Sequence, residues 1–218
     1  MQNGRAPLDD LDTAAHAALP THVILQQWRR LPPVLRGPGI VLRELKLSDA
    51  PSLAAMLGPD DVMPLVSSPP ATIADWVELV DRAQEDRARG GSLSLGLVPE
   101  GYASPVGIFQ VQQAEPEFGT AEWSFALDRA FWGAGVFFAA APALIDFVFE
   151  VLAARRLEAR VSVRNGRGNG ALRKLGAVQE ALMRDAVVER GTAVDQLLWA
   201  IDVEEWRARR PGARGTVH

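Results

Sequence analysis

Arg129-Ala130-Phe131-Trp132-Gly133-Ala134-Gly135-Val136-Phe137-Phe138 decides how the rest of the chain is read. The run before it, Ala121 to Leu127, predicts a strand. The long apolar run after it, Ala139 to Leu152, predicts a buried helix. A strand, a tight glycine turn and a helix leave several amide groups without intrahelical acceptors. The helix dipole adds partial positive charge at the same place, so the arrangement suits a phosphate.

On the N-terminal side, Ser92 to Val98, Val106 to Gln112 and Ala121 to Leu127 read as an antiparallel meander. Before it, Thr72 opens an amphipathic helix over Ile73 to Arg89, with Ile73, Trp76, Val77, Val80 and Ala83 near one face and Gly90-Gly91 as its stop. Ile40 to Leu45 predicts a strand, and Ser48-Asp49 predicts the cap of a helix over Ala50 to Leu57. Residues 62–66 are ambiguous, and Ser67 to Pro70 reads as a loop. Residues 8–19 and 21–30 predict short helices, the second ended by Leu31-Pro32-Pro33. On the C-terminal side, Leu157 to Val163 alternates as a strand. Asn165 to Gly168 predicts a turn, and Asn169 to Leu175 a short helix stopped by Gly176. Strands are expected over Ala177 to Met183 and over Val187 to Glu189 or Gln196 to Ile201, then a helical turn from Glu204 to Arg210.

This order, β-α-α-β-β-β-α-β-α-β-β, predicts an α/β fold. Its centre is a mixed, mostly antiparallel sheet of six to seven strands with helices on both faces. The expected organisation is an N-terminal extension over 1–36, a domain over 37–206 and a tail over 207–218. Three consecutive strands before the glycine turn, and the lack of a third glycine, argue against a dinucleotide-binding Rossmann unit.

Composition narrows the chemistry. With 218 residues and 48% hydrophobic content the chain can fill a core, and its formal net charge of −4 gives no basic field for nucleic acid. It has no cysteine, which excludes disulfides, thiolate zinc sites and a cysteine nucleophile. The three histidines, His16, His22 and His218, all lie near the ends. A Ser-His-Asp triad or a histidine metal centre is therefore not expected, and proton transfer falls to Asp, Glu, the single Tyr102 or water. No signal-like apolar core and no membrane-length run is present, so the expectation is a cytoplasmic protein without membrane or metal.

Three local motifs, in order and at compatible spacing, resemble the GNAT N-acetyltransferase superfamily, and within it the branch that acetylates ribosomal-protein N-termini. Glu122 to Asp128 is similar to that family's fourth strand. Trp132-Gly133-Ala134-Gly135-Val136 is similar to its pyrophosphate loop. Asn165 with Arg173-Lys174-Leu175-Gly176-Ala177 is similar to its N-x-x-S-x-x-x-L-x-K-L-G-F motif, and Leu157-Glu158-Ala159-Arg160 matches the strand between them. The resemblance spans about residues 39–206. It implies acetyl-CoA as co-substrate. The amides of Gly133, Ala134, Gly135, Val136, Phe137 and Phe138, beside Trp132, would cradle the pyrophosphate. The backbone of Phe125, Ala126 and Leu127 would lie along the pantetheine arm, where the fourth strand parts from the fifth, and Asn165 would contact its far side.

The resemblance also implies a primary amine acceptor, either a peptide N-terminus or a small molecule, and leaves a homodimer open. Glu122 is the candidate base, because an attacking amine is mostly ammonium at neutral pH; a solvated strand carboxylate is the alternative. Four features depart from the family pattern. Phe137 and Phe138 stand where small residues are usual. Pro142 falls inside the expected helix. Leu172 occupies the place where many relatives carry an acidic tyrosine, and Ala177 replaces the final aromatic. Two readings follow: an acetyltransferase, or the same fold used as a non-catalytic module that binds a ligand or partner.

Overall fold

The computed structural model describes residues 27–57, 70–189 and 191–209. The expectations for 8–19, for most of 21–30, for 62–66, for Ser67 and Ser68, and for the tail from Arg210 lie outside the described residues. The strands are β1 (Leu35–Gly37), β2 (Ile40–Glu44), β3 (Ser92–Pro99), β4 (Gly107–Gln113), β5 (Thr120–Leu127), β6 (Arg156–Ser162), β7 (Val178–Glu189) and β8 (Thr192–Asp202). The helices are α1 (Ala50–Met56), α2 (Ile73–Arg89), α3 (Val136–Glu150), α4 (Gly166–Leu175) and α5 (Val203–Arg209). The strands form one sheet in the order β1-β2-β3-β4-β5-β6-β8-β7. Every neighbouring pair is antiparallel except β5 and β6. The expected mixed sheet is present, with eight strands rather than six to seven.

β1 is the strand absent from the expected order. β1, flanked by Pro32, Pro33 and Pro38, falls where the sequence predicts no strand, yet Leu35, Arg36 and Gly37 register against Leu42, Val41 and Ile40. Gly37 permits this because a Cβ there would lie 2.0 Å from the carbonyl oxygen of Ala139 on α3. The sheet thus reaches into the expected extension, as does the core, which buries Trp28. β7 and β8 are both long, because Gly191 lets the chain turn back at φ 76°. α4 begins at Gly166, not Asn169, because the Asn165 side chain supplies the N-cap.

Strand alternation divides the burial between two faces. On one, α3 packs over Leu95, Phe109, Val111, Trp123 and Leu157, joined by Leu172 of α4 and Trp206 of α5. On the other, α1 and α2 bring Leu53, Trp76 and Val80 against Leu45, Ile108 and Ala126. Asp49 does not cap α1 with its side chain, contrary to the sequence expectation. Its buried carboxylate instead accepts both Nη atoms of Arg43 at 2.7 and 2.9 Å, plus the amide of Lys46 at 2.8 Å. That hydrogen bonding raises the already high pKa of Arg43 further.

α2 forms where the sequence predicts it, and its ends explain why. Thr72 Oγ1 accepts from Asp75 N at 3.2 Å, while Asp75 accepts from the amides of Thr72 and Ala71 at 2.8 and 3.0 Å. Gly90, left-handed at φ 82°, closes the other end. Backbone donation from Thr72 and Ala71 holds the Asp75 carboxyl below its ordinary 3.8. The contribution of Asp75 is therefore complete above that ordinary value and is lost as pH falls through the depressed folded one. Urea unfolding should show Thr72→Ala less stable by about 1 kcal/mol. Asp75→Asn should be less stable than the native protein near neutral pH, and the gap should close in acid.

Candidate active site

β5 and β6 register over only three residue pairs: Thr120 with Arg156, Ala121 with Leu157 and Glu122 with Glu158. Beyond them β5 stays paired to β4 as far as Leu127 with Gly107, and β6 to β8 as far as Ser162 with Gln196. The two strands therefore part, and a V-shaped cleft opens through the sheet with Glu122 at its apex. Trp123 to Leu127 forms one arm and Ala159 to Ser162 the other. Backbone groups facing such a gap need partners from outside the sheet.

The glycine turn follows the first arm. Asp128 Oδ1 accepts from Ala130 N at 3.0 Å, and Trp132 Nε1 donates to the carbonyl of Leu127 at 2.9 Å, which pins the indole to the strand end. Gly133 and Gly135 are left-handed, at φ 78° and 81°, and Gly135 is the N-cap of α3. The first α3-type bond runs from Ala139 N to Gly135 O. Among the described residues, the amides of Gly133, Gly135, Val136, Phe137 and Phe138 donate to no backbone carbonyl, whereas Ala134 N is used by Phe131 O. No atom lies within 4 Å of where a Cβ on Gly133 or Gly135 would stand. The cradle is open, and its free donors and dipole fit a pyrophosphate.

Phe137 and Phe138 do not close it. Phe137, 8% exposed, points into the α3-side core. Its ring lies 4.9, 5.6 and 6.0 Å, centroid to centroid, from Phe125, Phe109 and Trp123. Phe138 is 40% exposed and meets only the edge of Phe137 among the aromatic contacts described. Pro142 leaves α3 continuous from Val136 to Glu150.

The second arm leads to α4. Asn165 Oδ1 accepts from Gly168 N at 2.8 Å, so this side chain caps the helix. Beneath it, buried Asn169 donates to the carbonyls of Ser162 and Asn165, both at 2.9 Å, and accepts from Trp199 Nε1 at 2.8 Å. Every polar atom of its amide has a partner, which fixes the end of β6. Across the cleft mouth, the guanidinium of Arg167 lies 4.5 Å from the centroid of Trp132, and Arg129 packs 5.6 Å from the same ring. These arginines stand beside the open amides.

Glu122, Ser124 and Ala126 face the α1/α2 side, opposite Trp123 and Phe125. Glu122 and Ser124 stand in cross-strand rows with Gln112 and Gln110 of β4, which continue to Ser92 and Ser94 of β3. The outcome is a polar floor beside the apex. Arg160 of β6 donates to Glu122. Leu172, at the place of the family's tyrosine, is buried and carries no proton to give. Tyr102 packs edge-on against Phe131, two residues before Gly133, at 5.4 Å. Arg160, Arg167 and Asn169 border the candidate site and are not among the residues the motifs single out. For Arg160 the period-two pattern Arg156-x-Glu158-x-Arg160-x-Ser162 was the available signal, since it places those side chains on the Glu122 face. Among the described residues no group of three or more His, Cys, Asp or Glu gathers as a metal site, and no helix is long and apolar enough to cross a membrane.

A splayed parallel pair in an otherwise antiparallel sheet, with an amide-rich turn at the end of one arm, defines an acetyltransferase-type α/β domain. The family model described as acetyltransferase (GNAT) domain matches residues 40–178, and the chain belongs to this family. It is 24% identical over 168 residues to the uncharacterised N-acetyltransferase p20 of Bacillus licheniformis, covering 77% of this chain and 94% of that one. Among solved structures, Mycobacterium smegmatis RimJ in complex with CoA-disulfide superimposes with a TM-score of 0.68 at 20% identity, covering 79% of this chain and 87% of that one. The ribosomal-protein-S5-alanine acetyltransferase of Vibrio fischeri gives 0.69 at 19% identity, covering 79% and 98%. Both likenesses are of fold.

The different surroundings of the two adjacent rings have a measurable consequence. Phe137→Ala should cost about 3–5 kcal/mol in chemical unfolding, and Phe138→Ala less than about 1 kcal/mol. Equal losses would contradict the placement of Phe137 in the core.

Proposed function

We propose that the protein moves an acetyl group from acetyl-CoA to a primary amine by direct attack. The observation that carries this is the open amide cradle from Gly133 to Phe138, set at the end of the strand that parts from β6. The free N–H groups of Gly133, Gly135, Val136, Phe137 and Phe138 hold the pyrophosphate, with Ala134 shaping the turn and Trp132 anchoring it to β5. The backbone of Phe125, Ala126 and Leu127 borders the pantetheine arm, and Asn165 borders it from the other side. The donor supplies a thioester carbonyl, and an N–H of the parted β5 arm polarises it.

Glu122 accepts a proton from the acceptor ammonium, directly or through water. A peptide α-amino group has a pKa of about 8 and a lysine-like amine of about 10.4, so at neutral pH either acceptor arrives largely as ammonium and must lose a proton before it attacks. The thiolate then leaves without a side-chain acid, which suits Leu172 at the tyrosine place. The accessible polar side chains Gln110, Gln112 and Ser124 suit a hydrogen-bonding acceptor. That the Vibrio fischeri neighbour is a ribosomal-protein-S5-alanine acetyltransferase favours a peptide N-terminus, with small-molecule amines as the other class.

Acetyl-CoA at a hundred times its dissociation constant should stabilise the fold by about 2.7 kcal/mol, read as a thermal shift. With a panel of N-terminal peptides and amines, thiol release from acetyl-CoA should be detectable, and Glu122→Gln should lower kcat about 10²–10⁴-fold. No thermal shift and no turnover with any amine would sink the proposal and leave a binding module of the same fold.

A further inference from the structure

β6 presents Arg156, Glu158, Arg160 and Ser162 on the α1/α2 face and buries Leu157, Ala159 and Val161 on the other. Glu158 stands directly across from Glu122 in the last parallel pair before the strands part. Two carboxylates facing each other on one sheet face repel. Arg160, two residues further along β6 on the same face, lies where the gap has begun to open. Its Nη1 donates to Glu122 Oε2, and its Nη2 is 3.4 Å from Glu158 Oε2.

The row continues away from the cleft. Arg156 Nε donates to Glu158 Oε1 at 2.8 Å, Arg156 Nη1 donates to Glu180 Oε1 at 2.9 Å, and Asp202 lies 3.5 Å from the same guanidinium. Hydrogen bonding from Arg156 holds the Glu180 carboxyl below the usual carboxylate range. Charges of alternating sign therefore run from the cleft apex to β7. The inner members are well covered: the side chains of Glu122, Arg160 and Glu158 are 21%, 32% and 14% exposed. Partly desolvated charge pairs of this kind hold their geometry better than exposed ones.

We infer that Arg160 is a positioning residue for acyl transfer. It holds Glu122 by one oxygen at the cleft apex, so that Oε1, which makes no hydrogen bond among the described residues, faces the reaction as proton acceptor. Glu158 holds Arg160 in turn, and the link to Arg156 and Glu180 anchors Glu158. This role rests on the reading of Glu122 as the base. Arg160 itself touches neither donor nor acceptor, and its effect passes through the placement of one carboxylate.

The test compares Arg160→Met, Arg160→Lys, Glu122→Gln and the double variant Glu122→Gln/Arg160→Met in the full chain. Steady-state thiol release gives kcat, and a thermal shift with acetyl-CoA gives donor affinity. Arg160→Met should lower kcat about tenfold to a hundredfold, the range expected when a reacting group is misplaced by about an ångström. Its donor affinity should stay within about twofold of native, and Arg160→Lys should recover part of the rate. The double variant should be no slower than Glu122→Gln, because both changes disable one base. Native turnover in Arg160→Met, with Glu122→Gln impaired, would overturn the role of Arg160 while leaving the base in place. Parallel losses of rate and donor affinity in both Arg160 variants would reduce Arg160 to a structural ion pair. Native turnover in Glu122→Gln would overturn the base and this role together.

Discussion

The structure depends on two adjacent strands that pair and then separate. A sheet is normally continuous, because every unpaired buried N–H or C=O is costly. Here β5 and β6 abandon one another after three registered pairs, yet each remains fully engaged with its other neighbour. The separation is possible because each arm is held by side-chain contacts that do not involve the other. On the β5 arm, Phe109, Trp123, Phe125 and Phe137 interlock in edge-to-face and tilted contacts. On the β6 arm, Asn169 and Trp199 clamp the strand end from below. The cleft is thus a gap between two rigid walls, which suits a ligand that supplies the missing hydrogen bonds.

The same geometry explains where chemistry can occur. Side-chain alternation turns Trp123 and Phe125 towards α3 and leaves Glu122 and Ser124 on the opposite face, in cross-strand rows with Gln112 and Gln110. The glycine turn lies at the open end of the cleft and Glu122 at its closed end. A long ligand anchored by its anionic end at the turn would extend its other end towards the carboxylate. The turn and Glu122 stand at opposite ends of one strand, separated by the rise of β5 rather than by a flexible loop.

Much of this was legible in the sequence, because the informative signals are local. Thr72, Asp75 and Gly90 mark both ends of α2, and Gly133 with Gly135 marks a turn that needs positive φ. The motif from Asn165 to Gly176 brackets α4 correctly apart from its first turn. Long-range facts were not legible. Arg160 and Glu122 are 38 residues apart, and only the three-pair register brings them to one face. β1 carries a loop's composition and becomes a strand because Gly37 lets α3 approach. Asp49 looks like a helix cap, but tertiary contact with Arg43 claims its carboxylate.

Phe137, Phe138 and Pro142 show why a departure from a motif must be read in three dimensions. Along a helix successive side chains diverge by about 100°, whereas the first-turn N–H groups all point along the axis. Bulk at two adjacent positions therefore leaves the axial donors uncovered. One ring goes into the core, where it adds to the wall of the cleft, and the other goes towards solvent. Pro142 removes the N–H that would have bonded the carbonyl of Phe138, one turn earlier. Phe138 is the residue of that turn most open to water, so its carbonyl can be solvated and the helix runs on unbroken. Substitutions that look like obstruction in one dimension thus leave the axial N–H groups of the turn uncovered. The departure of a different kind is Leu172, which puts a buried aliphatic side chain where the family pattern has an acid, so that on the proposed reading proton transfer would fall to Glu122, placed by Arg160.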